Sequence, residues 1–348
     1  MSKSFKFAVI GAGGIAGAHV HNIKKVEGVE VVAAADINEA GLKKFGETHG
    51  IKKLYTDYKE MLAKEKDIDG VGVCTPNGLH AENAIAALKA GKHVIVEKPM
   101  AMNAAECKKM IEAAKKADRH LVTGFQFRFD PKTQVIRRQI EEGAFGKICY
   151  VRCQALRRRG IPNWGVFGRK DLQGGGPMID IGVHVLEMAH YMIGSPRPVA
   201  ATGNTFTYIG DKPSNVASMW PNWDHKTYTV EDLAVGMVRF DSGAMLTIEA
   251  MFAGHIEKDV WTVQIMGEKG GASWDPIQVF KDQDGYMMNQ TPSFVGTWDN
   301  FEKKMRHFVE VCRDGKTSIS TGDHGLMVQQ MLDGVYKSAE MKKEVEIK

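Results

Sequence analysis

Short apolar runs separated by amphipathic segments fill the first part of the chain. The runs are four to seven residues long, too short for helices: Phe7–Ile10, Val29–Ala35, Ile68–Cys74, His93–Val96 and Leu121–Phe125. The segments between them have helical periodicity, as in Leu79–Ala90, which glycine closes. Strands that alternate with helices at this spacing form right-handed βαβ units around a parallel sheet. The pattern predicts a doubly wound α/β domain over residues 1–125.

The pattern changes after Gly143. One long strand is predicted for Lys147–Leu156, and a β-hairpin for Val235–Phe240 and Ala244–Ala250, because a short glycine turn joins two runs of strand character. The remaining predicted elements are two strands and two terminal helices: Val260–Met266, Ile277–Phe280, Trp298–Cys312 and Asp323–Ser338. We predict an α+β domain with an open, mainly antiparallel sheet over residues 126–348, with terminal helices able to pack back on the first domain.

Composition narrows the range of partners and compartments. The 348 residues suit two domains, and 46 basic against 42 acidic residues leave a net charge of only +4, which favours neither nucleic acid nor an anionic membrane as a partner. The five cysteines are scattered without a C-x-x-C pair, as expected for reduced thiols in the cytoplasm. The sequence contains no run of about 18 apolar residues, so no transmembrane span is predicted.

A glycine-rich turn follows the first predicted strand. Residues 11–16, GAGGIA, fit G-x-G-x-x-G/A with alanine last, and a helix follows them. Gly11 permits the tight turn, Gly13 lets the backbone approach a pyrophosphate, and Ala16 allows close packing of helix on strand. The N–H groups at the start of the helix, around Gly14 and Ile15, then bind the anion. The motif in this context predicts a dinucleotide site.

An acid at the end of the second predicted strand selects the dinucleotide. Asp36 lies 20 residues after Ala16, where a carboxylate accepts hydrogen bonds from a ribose diol. Its charge would repel a 2′-phosphate, and Ile37 supplies no compensating cation. NAD is therefore the expected cofactor, although Lys43 and Lys44 leave NADP open.

Two charged residues, Glu97 and Lys98, end a wholly apolar predicted strand and precede Pro99. Ligands of open parallel sheets bind outside the carboxyl ends of the strands, so the pair lies where a reacting hydroxyl would be held. Lys98 could hydrogen-bond such a hydroxyl beside the nicotinamide. A surface ion pair at a strand end is the alternative, and position alone does not separate the two.

A second cluster, GGGPMIDIGVH, spans residues 174–184. A helix predicted from Met178 to about Met192 places Asp180 and His184 one turn apart, an arrangement that suits proton transfer with histidine as base and aspartate orienting it. An exposed structural pair is the alternative. We predict no metal site, because His190 lies six residues from His184 and on another helical face.

Substrate contacts are predicted from Arg157-Arg158-Arg159 and Trp164. Arg157 could bind an anionic group, and Trp164 could stack on the apolar face of a sugar. Solvated arginines, or arginines at a subunit contact, are the alternative.

The whole chain resembles the Gfo/Idh/MocA family, the glucose-fructose oxidoreductase and inositol dehydrogenase group. The resemblance rests on GAGGIA, on Glu97-Lys98-Pro99 and on GGGPMIDIGVH. It implies a Rossmann domain followed by an open-sheet domain, with Lys98, Asp180 and His184 as the catalytic set. It also implies positions around the nicotinamide and substrate, namely Cys74, Thr75, Asn77, His80, Glu97, Gln126 and Arg128. Gln126 departs from the asparagine found in many members.

The implied activity is hydride transfer between NAD and a secondary ring hydroxyl of a sugar, glycoside or cyclitol. Glucoside 3-dehydrogenase and inositol dehydrogenase both fit, and Trp164 slightly favours the sugar. The alternatives are a glycosidase with transiently reduced NAD and a non-enzymatic sugar sensor. A homodimer or homotetramer is expected through an apolar sheet face that carries Val235, Met237, Leu246 and Ile248.

Overall fold

The computed structural model describes residues 4–348. The chain forms two compact units. The first combines the chain up to Phe129 with Trp298–Leu326, and the second combines Asp130–Thr297 with Met327–Lys348. Within residues 4–348, no helix is both long enough and apolar enough to cross a bilayer.

The first unit contains a six-stranded parallel sheet. Its strands are β1 (Phe5–Ile10), β2 (Val29–Ala35), β3 (Lys53–Tyr55), β4 (Gly70–Val73), β5 (His93–Val96) and β6 (Leu121–Thr123). The strand order is β3-β2-β1-β4-β5-β6, so the direction of winding reverses between β1 and β4. Five helices connect the strands: α1 (Gly14–Ile23), α2 (Glu39–His49), α3 (Tyr58–Lys64), α4 (His80–Lys89) and α5 (Ala104–Ala117). The predicted doubly wound Rossmann fold is confirmed.

Aromatic rings of β1 pack over glycines of β4. A Cβ atom on Gly70 would lie 2.8 Å from the Phe5 ring and 2.9 Å from the Phe308 ring, and one on Gly72 would lie 2.8 Å from the Phe7 ring. Glycine at alternate positions of β4 therefore leaves the space that these rings fill. Burial of one such ring contributes roughly 1.5–3 kcal/mol.

The second unit is built on a nine-stranded sheet. Its helices are α6 (Pro131–Glu141), α7 (Lys170–Gln173) and α8 (Val183–Met192). Its strands are β7 (Ile148–Leu156), β8 (Pro198–Phe206), β9 (Leu233–Phe240), β10 (Met245–Met251), β11 (Val260–Gly267), β12 (Gly270–Ser273), β13 (Gln278–Gln283), β14 (Tyr286–Gln290) and β15 (Val345–Glu346). The order is β14-β13-β12-β11-β7-β10-β9-β8-β15. Only the β7–β10 pair is parallel among these described strands, so the predicted mainly antiparallel sheet is confirmed.

Two long helices complete the chain, α9 (Asn300–Asp314) and α10 (Gly322–Met341). Helix α9 belongs to the first unit and packs on α1. Its side chains Met305, Phe308 and Val309 are buried at helical spacing, so one face of α9 contributes to the core of that unit.

The strand register corrects the predicted apolar face of the second sheet. In the β9–β10 pair, Val235 lies opposite Glu249, whereas Ile248 lies opposite Gly236. Because opposed residues share a face, Val235 and Met237 lie on one side of the sheet, and Leu246 and Ile248 lie on the other. Leu246 and Ile248 are buried within the unit. The four residues therefore do not form a single exposed surface.

Candidate active site

The glycine turn after β1 requires its first glycine. Gly11 has φ +89°, and a Cβ atom there would lie 2.7 Å from the backbone of Cys74. The Gly11 N–H donates a hydrogen bond to the Ala35 carbonyl at 2.8 Å. This position thus brings the turn against the ends of β2 and β4, and only glycine fits both its dihedral angle and its space.

The next two glycines leave the start of α1 accessible. Gly13 caps the helix with its backbone alone, and Gly14 begins it. Both are exposed, and a Cβ atom built on either would meet no atom within 4 Å. The first N–H groups of α1, including that of Ile15, have no side-chain cap in front of them. These features fit the pyrophosphate of a dinucleotide.

The carboxylate of Asp36 is held beside that turn. Its Oδ2 atom accepts the Ala12 N–H at 2.7 Å, and its Oδ1 atom accepts the Asn38 N–H at 2.8 Å. Asp36 is half-buried, whereas Ile37 is 91% exposed. An ionised carboxylate has lone pairs left for further donors, so Asp36 fits a ribose diol.

Side chains in and after the loop that follows β4, which were predicted to lie near the cofactor, form contacts within the protein. His80 is buried, with Nδ1 2.8 Å from the Pro99 carbonyl and Nε2 2.9 Å from the Thr75 carbonyl. Both ring nitrogens therefore face protein carbonyls, and His80 links two loops, while its predicted cofactor contact stays a prediction. The Cys74 thiol is also buried, 3.7 Å from the His19 ring. Thr75 hydrogen-bonds Asn83, and its predicted cofactor contact stays a prediction, as does that of Asn77.

Glu97 is turned into the first unit, and its predicted cofactor contact stays a prediction. Its carboxylate is 5% exposed and forms hydrogen bonds with His19 and Lys304. Lys98, the second residue after β5, is half-buried and is followed by a cis peptide bond to Pro99. The structure therefore separates the two charges: Glu97 lies inside the first unit, and Lys98 lies at its strand end.

Two further predicted residues lie in the short helical turn at 126–129. Gln126 is half-buried. Arg128 is completely buried, and its guanidinium donates a hydrogen bond to the Ile319 carbonyl at 2.5 Å and lies 4.8 Å from the Phe125 ring centroid. These contacts give Arg128 a structural role in the first unit, and its predicted role in substrate binding stays a prediction.

In the second unit, the helix predicted from Met178 is not continuous. Met178–Gly182 forms a π-helical turn, and α8 begins at Val183. A Cβ atom on Gly182 would lie 2.8 Å from the Ala250 side chain, so the turn packs closely on β10. A π turn changes the angle between residues four apart and is frequent at functional sites.

Asp180 lies in this turn and His184 in the first turn of α8. Asp180 is half-buried, and His184 is 9% exposed, with its ring centroid 6.1 Å from that of Trp261. Burial lowers the pKa of Arg157, and the charge of Asp180 acts in the opposite direction. Asp180 and Arg157 are therefore electrostatically coupled within the second unit.

A buried carboxylate that sequence reasoning missed anchors the loop of three glycines at 174–176, which we call the glycine loop. Glu231 accepts the N–H groups of Gly176 at 2.9 Å and Met178 at 3.3 Å, and the Tyr336 hydroxyl at 2.7 Å. Burial raises the pKa of Glu231, and these hydrogen bonds offset part of that rise. The signal was present in the sequence, because an acidic pair at 231–232 precedes the apolar strand β9.

Arg157 and Trp164 lie in one aromatic cluster. The Arg157 guanidinium is 5.0 Å from the Trp220 ring and 5.7 Å from the Phe252 ring, and it donates to the Gly160 carbonyl at 3.1 Å. The Trp164 ring meets Trp220 edge to face at 4.7 Å and is 49% exposed. The cluster therefore offers an exposed aromatic surface beside a fixed cation.

The other arginines of the triplet are used elsewhere. Arg158 donates its backbone N–H to Asp259 at 2.7 Å and its guanidinium to the Glu257 carbonyl at 2.9 Å. Arg159 pairs through its backbone with Ala253. The triplet thus does not form one anion site. Across residues 4–348, no group of three or more His, Cys, Asp or Glu side chains is arranged to hold a metal ion.

Two family models together cover most of the chain. The model of the NAD-binding Rossmann fold of the Gfo/Idh/MocA oxidoreductase family matches residues 5–125, and the model of its C-terminal alpha/beta domain matches residues 137–347. The chain belongs to the Gfo/Idh/MocA oxidoreductase family. The predicted resemblance is confirmed, and so are the oxidoreductase class and NAD as cofactor.

Full-length relatives act on sugars and polyols. The chain is 34% identical to D-glucoside 3-dehydrogenase of Escherichia coli (strain K12), over 99% of this chain and 98% of that protein. It is 28% identical to myo-inositol 2-dehydrogenase of Thermotoga maritima, over 98% of each. A levoglucosan dehydrogenase structure in complex with NADH and L-sorbose superimposes with a TM-score of 0.86 at 26% identity, over 99% of both chains.

Proposed function

We propose that this protein is an NAD-dependent dehydrogenase of the glucoside 3-dehydrogenase type, which oxidises a secondary ring hydroxyl of a glycoside. The full-length similarity to D-glucoside 3-dehydrogenase supports this substrate class. The exposed Trp164 ring beside Trp220 favours a sugar over a cyclitol, because the C–H face of a pyranose packs well on an aromatic ring.

The observation that carries the proposal is the nearly buried His184 in the first turn of α8, directly after the π turn that contains Asp180 and begins at Met178, whose N–H Glu231 accepts. In the proposed reaction His184 accepts the proton of the hydroxyl, and Asp180 orients the imidazole or binds a neighbouring hydroxyl. Lys98 donates a hydrogen bond to the oxygen on which negative charge develops. Bound NAD⁺ supplies the hydride acceptor.

Cofactor binding is assigned within the first unit. Gly13, Gly14 and Ile15 would bind the pyrophosphate through backbone N–H groups, and Asp36 would accept the ribose hydroxyls. Thr75, Asn77 and Gln126 are proposed to line the nicotinamide end. The exposed Ile37 leaves no cation for a 2′-phosphate, which supports the NAD preference.

The test is NAD⁺ reduction by the purified protein, followed by near-UV absorbance, with alkyl and aryl glucosides, glucose, levoglucosan and myo-inositol. We expect NADH with glucosides and a keto group on the product ring. The variant His184→Asn should lose about 10²–10⁴ in turnover while keeping its affinity for NADH. The matched control His21→Asn changes an exposed histidine of α1 and should be active.

Other results would overturn the proposal in distinct ways. NADH from myo-inositol alone would replace the sugar by a cyclitol. Cleavage of an aryl glucoside without net NADH would indicate a glycosidase in which NAD is reduced transiently. Sugar binding with neither reaction would indicate a sensor. Full turnover in His184→Asn would remove His184 as the base.

We also infer a homo-oligomer in the cytoplasm. Half-buried Val235 and Met237 on the outer face of the second sheet support self-association, and scattered cysteines without a disulfide support a reducing compartment. Light scattering on the protein as it elutes from a size-exclusion column would test the homo-oligomer, since a monomeric mass at working concentration would contradict it.

A further inference from the structure

Three side chains from distant parts of the chain meet inside the first unit. The Lys304 Nζ atom and the His19 Nε2 atom each lie 2.6 Å from Oε1 of Glu97. The exposed fractions are 1% for Lys304, 0% for His19 and 5% for Glu97. An ion pair this deeply buried must be fully hydrogen-bonded to be tolerated.

The protonation states of the cluster follow from its contacts. Burial raises the pKa of Glu97, but Lys304 and His19 outweigh it and lower that pKa well below its usual range. Burial and then Lys304 lower the pKa of His19, which is therefore neutral. Because an ionised Glu97 can only accept, we assign the His19 proton to Nε2, and Nδ1 then faces the Cys74 thiol at 3.7 Å. The cluster holds one negative and one positive charge.

The second oxygen of the carboxylate contacts the proposed catalytic residue. Oε2 of Glu97 lies 3.3 Å from the backbone N–H of Lys98, which donates to it. One oxygen is thus fixed by Lys304 and His19, and the other holds the main chain from which the Lys98 side chain extends. Any rotation of the carboxylate would move this N–H contact.

We propose that Lys304 is a positioning residue for Lys98, acting through the carboxylate of Glu97. The proposal rests on the assigned role of Lys98 in the reaction. Core stability alone does not require this arrangement, because a buried ion pair can often be replaced by apolar side chains of similar volume without loss. The pair instead gives the Glu97 carboxylate a fixed orientation at the strand end.

The experiment compares wild type, Lys304→Met, Lys303→Met and the double variant Glu97→Gln/Lys304→Met. Lys303 is the matched control, because it precedes Lys304 on α9, is exposed and contacts the Trp298 ring instead of Glu97. For each protein the kcat, the KM for glucoside and for NAD⁺, the Kd for NADH and the melting temperature are measured. The double variant has no buried charge, so it should fold even where Lys304→Met does not.

We expect Lys303→Met to match wild type and Lys304→Met to melt at a lower temperature. The double variant should recover the melting temperature while its kcat stays about 10- to 100-fold below wild type, with KM and Kd values within about twofold. Recovery of both stability and kcat in the double variant would overturn the proposal, since Lys304 would then only neutralise Glu97. An inactive wild type with bound NADH would overturn the proposed function itself, which is a different result.

Discussion

The Tyr336 hydroxyl donates a hydrogen bond to Oε1 of Glu231 at 2.7 Å. The same carboxylate accepts the N–H groups of Gly176 and Met178, which lie four and two residues before Asp180. Tyr336 therefore acts, through Glu231, on the turn that carries Asp180.

Removing this hydroxyl should loosen the glycine loop. Tyr336→Phe leaves the buried Glu231 with one donor fewer, so we expect a loss of about 1–2 kcal/mol in unfolding free energy. Turnover should fall about tenfold as the turn loses its fixed position. Denaturant unfolding and initial rates check both effects, and Tyr286→Phe, on an exposed hairpin, is the control. Unchanged kcat in Tyr336→Phe would remove the anchor from the mechanism.

Substitutions at Gly11 and Gly13, the first two glycines of the turn after β1, should affect folding and cofactor binding separately. Gly11→Ala forces a left-handed dihedral and an overlap with the Cys74 backbone, so we expect a loss of at least 2 kcal/mol in stability. Gly13→Ala adds a Cβ atom in open space and should fold like wild type. Its affinity for NADH should nevertheless fall more than tenfold, because the methyl group would stand where the pyrophosphate binds. Titration by NADH fluorescence, beside thermal melts, measures the two effects; equal NADH affinity in Gly13→Ala and wild type would contradict the assigned site.

Cofactor preference should depend on Asp36 and Ile37. The double variant Asp36→Ser/Ile37→Arg removes the repelling carboxylate and places a guanidinium at an exposed position. We expect the ratio of kcat/KM for NADP⁺ over NAD⁺ to rise at least a hundredfold. Asp36→Asn keeps a side-chain oxygen for the Ala12 N–H and serves as the control for the turn itself. A ratio that does not change would place ribose recognition elsewhere.

Stability in weak acid should depend on His93. Burial, then the charges of His120 and Arg119, lower the pKa of His93 to about 4, and its Nδ1 atom accepts the His120 N–H at 3.0 Å. The unfolded chain takes up this proton near pH 6.5 and the folded chain only near pH 4, so stability falls as pH falls between these values.

The variant His93→Asn should lose less unfolding free energy than wild type between pH 6.5 and pH 4. The expected difference is about 1–2 kcal/mol, because solvent partly screens this half-buried group. Urea melts at pH 7.0, 5.5 and 4.5 measure the effect, and the exposed His21→Asn provides the control. If His93→Asn and wild type lost stability in parallel, the assigned titration would be wrong.

Periodicity predicted both sheets because strand burial follows local sequence, but it missed the strands β3, β8, β12, β14 and β15. It missed α6, although Asp130 caps this helix and Pro131 begins it, a recognised start signal. It placed Leu246 and Val235 on one face, because apolar residues on both faces of a sheet cannot be assigned to sides without the cross-strand register. The π turn at Met178–Gly182 depends on the packing of Gly182 against β10, a long-range contact with no local signature.

The geometry of the glycine turn was predictable from a local motif, as at Gly11 and Asp36. The site was not predictable where a polar side chain turns into the protein. The motif residues Glu97 and His80 were expected near the cofactor, but their partners Lys304 and Pro99 are distant in the chain, and sequence spacing gives no sign of such pairs. Glu231 was missed although an acidic pair precedes β9, because its anchoring role depends on Tyr336, 105 residues away.

The discontinuity of the first unit sets an order of events during synthesis. Glu97 leaves the ribosome more than two hundred residues before its counter-charge Lys304, and the rings of Phe5 and Phe7 emerge even longer before Phe308. At about 5–20 residues per second, the nascent strand end carrying Lys98 waits roughly 10–40 seconds without that partner. Throughout this interval the nucleotide-binding unit has an uncompensated carboxylate and an incomplete core, so it cannot complete its folding until α9 has been synthesised.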